Sequence, residues 1–136
     1  MAEFFAATGD IELAAITYLR THFPAAKVTT RRPWGTDWLS PSDKLIIRVE
    51  VIGGEAPRAE VLDPWTLSIE VWQADAEAAP VTAGQVSGWL NAWSGRHSGV
   101  LVYECRATRP RSAPDPLTST SRYLITAAGI ARLLGV

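Results

Sequence analysis

Cysteine is almost missing from this chain. Cys105 is the only one among 136 residues, which makes an intrachain disulfide unavailable and argues against a zinc cluster. Histidine is nearly as scarce, with His22 and His97 alone. No His-x-x-x-His, Cys-x-x-Cys or His-Glu-x-x-His spacing occurs, so no metal or cofactor is expected. Neither charge dominates: 13 basic and 14 acidic side chains leave a formal net charge of −1. That balance removes the simplest argument for a nucleic-acid binder, which normally concentrates a basic excess on one face. No apolar run approaches the roughly 18 residues a membrane span needs. The N-terminal MAEFFAATGDIE carries Glu3 and no basic stretch, unlike a secretory signal. The expected compartment is the cytoplasm in which the chain is made, without membrane contact. Gly-x-Ser-x-Gly and phosphate-loop patterns are missing too; Gly53-Gly54 lacks the following lysine and helix.

What the chain does have is enough apolar material for a core. At 47% hydrophobic residues it is an ordinary globular sequence, and its length fits one domain over residues 1–136. Folding a chain of this size removes roughly two-thirds of the unfolded surface from water. Tryptophan is the excess: Trp34, Trp38, Trp65, Trp72, Trp89 and Trp93 are more than one small core comfortably hides, and tryptophan is enriched at protein interfaces.

Periodicity then places the elements. With residues 1–9 as an N-terminal extension, Asp10 reads as the N-cap of a helix from Ile11 to about His22, stopped by Pro24. Its apolar face collects Ile11, Ala14, Ala15, Tyr18, Leu19 and His22, while Leu13 and Ile16 fall in the polar half, either as the scattered surface hydrophobes that are normal on proteins or as residues covered by a second subunit. Strand patterns run from Ala26 to Arg32, Lys44 to Ile52, Arg58 to Leu62, Trp65 to Gln73, Val100 to Ala107 and Ser121 to Ala128, the last continuing toward Leu134. Leu45, Ile47, Val49 and Val51 alternate against Ile46, Arg48, Glu50 and Ile52; Trp65, Leu67, Ile69 and Val71 alternate against Thr66, Ser68, Glu70 and Trp72.

A second helical segment lies within Asp75 to Trp93, restarting with Pro80 in its first turn. Ala79, Ala83, Val86, Leu90 and Trp93 form its packing stripe. Gly84, Gly88 and Ala92 form a second stripe, largely opposite, which is either tolerated sequence variation or a smooth surface for another backbone to approach. Two helices and a run of strands predict an α+β domain, the helices packed on a largely antiparallel sheet.

Long connections remain at 33–43 and 108–120, and loops of that length are commonly functional. The first holds Trp34 and Trp38, which are costly to leave in water. The second holds three prolines with Arg109 and Arg111. Arg31, Arg32, Arg109, Arg111 and Arg122 suit ion pairing. Glu50, Glu70 and Glu104 lie on strands, and their neighbours Arg48 and Arg106 favour cross-strand pairing over a catalytic carboxylate pair. Cys105 alternates with Glu104 and Arg106 and reads as a buried small hydrophobe. No catalytic residue emerges, and an enzyme is not expected.

The order GDIELAAITYLR, KLIIRVEVIGG, EVLDPWTLSIEVWQADAEAA and GVLVYECRATRPRSAPDPLTSTSRYLITAAG resembles the tail terminator proteins of long-tailed bacteriophages, especially those infecting actinobacteria, over about residues 9 to 128. Its most specific parts are the paired-glycine turn, the strand ending Glu70-Val71-Trp72-Gln73-Ala74-Asp75, and Pro114-Asp115-Pro116 before Ser121-Arg122-Tyr123. The resemblance implies a structural virion protein that assembles as a homohexameric ring at the head-proximal end of the tail tube. Such a ring stops tube polymerisation, meets the tail tube protein on one side and head-completion or neck proteins on the other, and lets DNA pass through its lumen. Leu13, Ile16, Trp34, Trp38, Gly84, Gly88, Ala92, Arg109 and Arg111 are then the candidate contacts with neighbouring subunits or the tube. A head-tail stopper or other neck ring is the alternative, followed by a non-viral adaptor module with a deep apolar pocket.

Overall fold

The computed structural model describes residues 2–31, 45–53, 63–97, 99–117 and 120–133. The expected loop at 33–43 with Trp34 and Trp38, and the expected strand at 58–62, lie outside them. Two helices and seven strands follow the order α1 (Ala2–His22), β1 (Lys27–Thr29), β2 (Leu45–Gly53), β3 (Asp63–Gln73), α2 (Ala79–Asn91), β4 (Gly95–His97), β5 (Val100–Ala107), β6 (Arg111–Ser112) and β7 (Ser121–Leu133). The strands form one sheet in the order β1-β2-β3-β7-β5-β4, with β6 also on β7. Among the described residues only the β1–β2 pair is parallel. This is the expected α+β domain with helices on a largely antiparallel sheet.

The period-two patterns decide which face the helices cover. Ile47 and Val49 of β2, Trp65, Leu67, Ile69 and Val71 of β3, and Ile125, Ala127 and Ala131 of β7 all point into one core. Register holds them side by side: Val49 opposes Ile69, which opposes Ile125. Helix α1 lies across this face and touches β1 to β5, β7 and α2, and α2 packs beside it over β3, β5 and β7. The expected packing stripe of α2 is buried from Ala79 through Leu90, with Trp93 just beyond the helix.

Three local readings are corrected. Helix α1 starts at Ala2 rather than Ile11, because the alanine-rich stretch before Asp10 sustains a helix and Gly9 alone does not end one. β4, a stretch without a strand pattern in the sequence, pairs with β5 ahead of Gly99, whose φ of 81° is a conformation that favours glycine. β6 inside the 108–120 connection pairs Arg111 with Leu124 and Ser112 with Tyr123. Both strands are too short for a sequence period to register.

Ile16 is corrected as well. It is 7% exposed and belongs to the core. Because α1 lies across the sheet, its cover extends around the helix to residues read as its solvated half. On that side Glu12 Oε2 accepts the Val51 amide at 3.1 Å, and Arg20 donates to the Val28 carbonyl at 3.0 Å. The Arg20 bond engages β1, the short edge strand, and the Glu12 bond engages β2 beyond the reach of β1. Ile16 is therefore unavailable to a second subunit.

Candidate interaction surfaces

The sheet face away from the helices is built by the other half of each alternation. Ile46, Trp72 and Arg122 share one register row, and Arg48 and Glu70 share the next. Arg48 donates from Nη1 to Glu70 Oε1 at 2.8 Å and approaches Glu50 Oε2 through Nη2 at 2.7 Å. Its Nε donates to the Thr30 carbonyl at 3.1 Å. Arg122 reaches the second Glu70 oxygen at 3.3 Å and donates from Nε to the Ala113 carbonyl at 2.8 Å. Glu70 thus has an arginine on each carboxylate oxygen, the cross-strand pairing expected for it. Exposed Glu104 lies on β5, across β7 from Glu70.

The connection 108–120 is anchored to this face. Thr108 and Thr126 exchange two bonds, Thr108 N–H to the Thr126 carbonyl at 2.9 Å and Thr126 N–H to Thr108 Oγ1 at 3.0 Å. The Ala113 amide donates to the Arg122 carbonyl at 2.9 Å. Asp115, 1% exposed, accepts Trp72 Nε1–H at 2.9 Å on one oxygen and the Leu117 amide at 2.9 Å on the other. The strand ending in Trp72 and the Pro-Asp-Pro segment, distant in sequence, are therefore one structural unit. Beyond that anchor Leu117 projects, 80% exposed. Arg109 and Arg111 are exposed on the same connection.

The helical side offers a different surface. No residue of α2 is charged, and Val81, Gly84, Gln85, Gly88 and Trp89 are exposed along its outer face, with Ala92 just past its end. A Cβ added at Gly84 or Gly88 would meet nothing within 4 Å. Neither glycine is needed for packing within the subunit, yet each costs about 1 kcal/mol of helix propensity relative to alanine. Trp89, 42% exposed, stacks on His22 at 3.7 Å between centroids. The Tyr18 hydroxyl donates to the Trp89 carbonyl at 2.6 Å, tying the two helices together. Leu13 is 54% exposed on α1.

Among the sequence candidates, Leu13, Gly84, Gly88, Ala92, Arg109 and Arg111 are thus accessible and Ile16 is not; Trp34 and Trp38 lie outside the described residues. They do not converge on one site. The arginines belong to the connection on the outer sheet face, whereas Gly84, Gly88 and Ala92 belong to the helical layer.

Sequence reasoning missed the Trp72–Asp115 bond, although its signal was present. Trp72 falls on the polar half of the β3 alternation, and a buried indole N–H usually finds an acceptor. It also missed Ser87 and Asn91, which finish the outer edge of β5. Ser87 Oγ donates to the Thr108 carbonyl at 2.9 Å, and Asn91 both accepts from the Ala107 amide at 2.9 Å and donates to its carbonyl at 3.2 Å.

Cys105 is buried as expected, and desolvation pushes its thiol pKa up to about 12, which keeps it protonated and unreactive at neutral pH. The Tyr18 hydroxyl is likewise pushed up, first by burial and then by proximity to Cys105. His22 is the half-buried helix-end residue expected from its place on the apolar face. Among the described residues no His, Cys, Asp and Glu group could hold a metal ion, and no helix is long and apolar enough to cross a membrane.

No known protein family and no curated protein matches the chain. Among solved structures, the fold is similar to that of a chain from the virion of a native gene transfer agent particle. That chain is 15% identical, and the match has a TM-score of 0.61 over 94% of this chain and 98% of the other. A second solved chain matches at 12% identity and a TM-score of 0.49, over 100% and 97% of the two chains. At 15% identity the first likeness is one of fold.

Proposed function

We propose that this chain is a structural subunit of a virion, of the tail terminator type. Copies close head-to-tail into a hexameric ring on the head-proximal end of a tail tube, halt its growth and receive the head-completion proteins, with DNA passing through the lumen. The observation that carries this reading is the fold shared end to end with a virion chain, since neither protein leaves a sizeable part unmatched. The segment order and motifs that resemble tail terminators supply the finer assignment within virion proteins. A ring needs two different faces of each subunit to meet. The uncharged outer face of α2 and the exposed connection carrying Arg109, Arg111 and Leu117 lie on opposite layers of the domain and suit that requirement.

The test is electron microscopy of tubes assembled from the tail tube protein of the same virus, with and without this chain. Tubes that stop short and carry an extra ring at one end are the expected outcome. Tubes of unchanged length with bare ends would move the assignment to a head-side ring or to an adaptor.

Gly88→Leu separates a packing role for α2 from neutral sequence drift. An added Cβ at this exposed position meets nothing within 4 Å, so the monomer is expected to melt no lower than the parent and to gain up to about 1 kcal/mol from helix propensity. Ring formation is expected to be lost, read as the fraction of capped tubes. Normal capping by this variant would remove the outer face of α2 from the interface.

A further inference from the structure

The connection between β5 and β7 has a property that does not depend on capping a tube. Of residues 108–117, Asp115 alone is buried; the others are exposed or half-buried. What holds this segment is mainly polar: the pairing of Arg111 and Ser112 with Leu124 and Tyr123 on β7, the Ala113–Arg122 pair of bonds, the Trp72–Asp115 bond, and the Asp115 amide donating to the Thr120 carbonyl at 3.0 Å, with the covered Trp72 ring as its one large apolar contact. The strands beneath are ordered by something else, the burial of Leu67, Ile69 and Val71 on β3 and of Ile125 and Ala127 on β7, all on the opposite face of the sheet.

We propose that residues 109–117 are a strap that opens as a unit while the domain stays folded, with Asp115 as its latch and Trp72 as its catch. Opening breaks these bonds, the β6–β7 pairing included, but gives them bonds to water in exchange, so each costs far less than its strength in isolation. It leaves the helix-side core untouched. The hinges are defined: on one side the double bond between Thr108 and Thr126, on the other Thr120, where β7 begins. The consequence is local. Trp72 and Ile46 are the buried apolar residues of the outer face, whereas Thr66, Ser68, Thr126 and Ala128 farther along the sheet are small and at least partly exposed. The open strap bares the indole edge of Trp72 and carries Leu117, still bonded to Asp115, away from the sheet, so the strap decides what this end of the sheet presents to an approaching surface.

Native-state hydrogen exchange on the full chain, followed by NMR across low denaturant concentrations, tests the strap. The Ala113 and Asp115 amides and the Trp72 indole proton are expected to exchange as one group, about 100-fold or more faster than the amides of Ile69 and Ile125, with a shallow denaturant dependence. Asp115→Ala should speed the Trp72 indole proton and the Ala113 amide together, about 10-fold or more, and keep that shallow dependence. Two outcomes would overturn the proposal. In one, the strap protons share the steep dependence of Ile69 and Ile125, which makes the segment part of the core. In the other, the Trp72 proton exchanges independently of Ala113, which removes Asp115 as the latch.

Discussion

Gly129→Ala is expected to cost about 3 kcal/mol or more, because the methyl group has nowhere to go. Gly129 sits on β7 opposite Cys105, beside the bulge between Val102 and Glu104, with its Cα side turned to the core. A Cβ there would overlap the Glu104 carbonyl, which is backbone, and would also press on the Trp65 ring. A rotating side chain yields to such contact; a carbonyl fixed in a paired strand does so only by breaking the ladder. Chemical denaturation should show a lowered midpoint with an unchanged slope. Gly129→Val should abolish folding. A tolerated alanine would mean that β5 and β7 separate more readily than the bulge geometry implies. Gly88→Leu supplies the contrast: equal loss of a glycine, no obstruction, no penalty.

Trp93→Ala should produce a loss of similar or greater size by the opposite mechanism, a void. Trp93 follows α2 and is fully buried. Its ring stacks on Tyr18 of α1 at 5.3 Å and tilts against Trp65 of β3 at 5.7 Å between centroids. It therefore touches both helices' junction and the sheet, and neither helix can move in to fill the space without abandoning its own strand contacts. Large aromatic truncations in such positions cost about 3–5 kcal/mol. At roughly 4 °C per kcal/mol for a domain of this size, the melting temperature should fall by about 12–20 °C. Trp93→Phe should recover more than half of the loss by keeping the stack on Tyr18. If alanine lowered the melting temperature by only a few degrees, the aromatic cluster would not be the point where the two layers are joined.

The two predictions bear on how legible the fold was. The alternation in β2 and β3 named the inward residues correctly, and the 4-3-4-3 spacing in α2 named its buried stripe, because both patterns are written in neighbouring residues. Gly129 was unremarkable in that reading. Its role arises from the carbonyl of Glu104, 25 residues away, and no period in a single segment reports a close approach between strands. Trp93 was placed on the packing stripe, but its joining of α1, α2 and β3 is a property of three segments at once.

The candidate surfaces divide in the same way. The regular Gly84, Gly88 and Ala92 stripe was visible directly, since a helix face is a matter of spacing, whereas the absence of charge on α2 emerges only with its bounds at Ala79 and Asn91. Leu13 and Ile16 looked equivalent on the helical wheel. They differ because α1 lies across the sheet, so its buried arc extends past one apolar stripe and takes Ile16 while leaving Leu13 outside. The connection 108–120 looked like a loop because its two-residue strand and its latch depend on partners in β7 and β3.

Composition and periodicity by themselves determined that this is one α+β domain without an intrachain disulfide, which faces of its longer strands enter the core, and where the glycine stripe of α2 lies. Those properties follow from side-chain hydrophobicity sampled at the intrinsic repeat of helix and strand. Only the tertiary structure decided that Glu70 is shared by two arginines, that Trp72 and Asp115 join distant segments, that Ile16 is sealed within the core, and that Gly129 admits no side chain. Each of these depends on strand register and on the crossing of α1 over the sheet, quantities set by packing the whole chain at once.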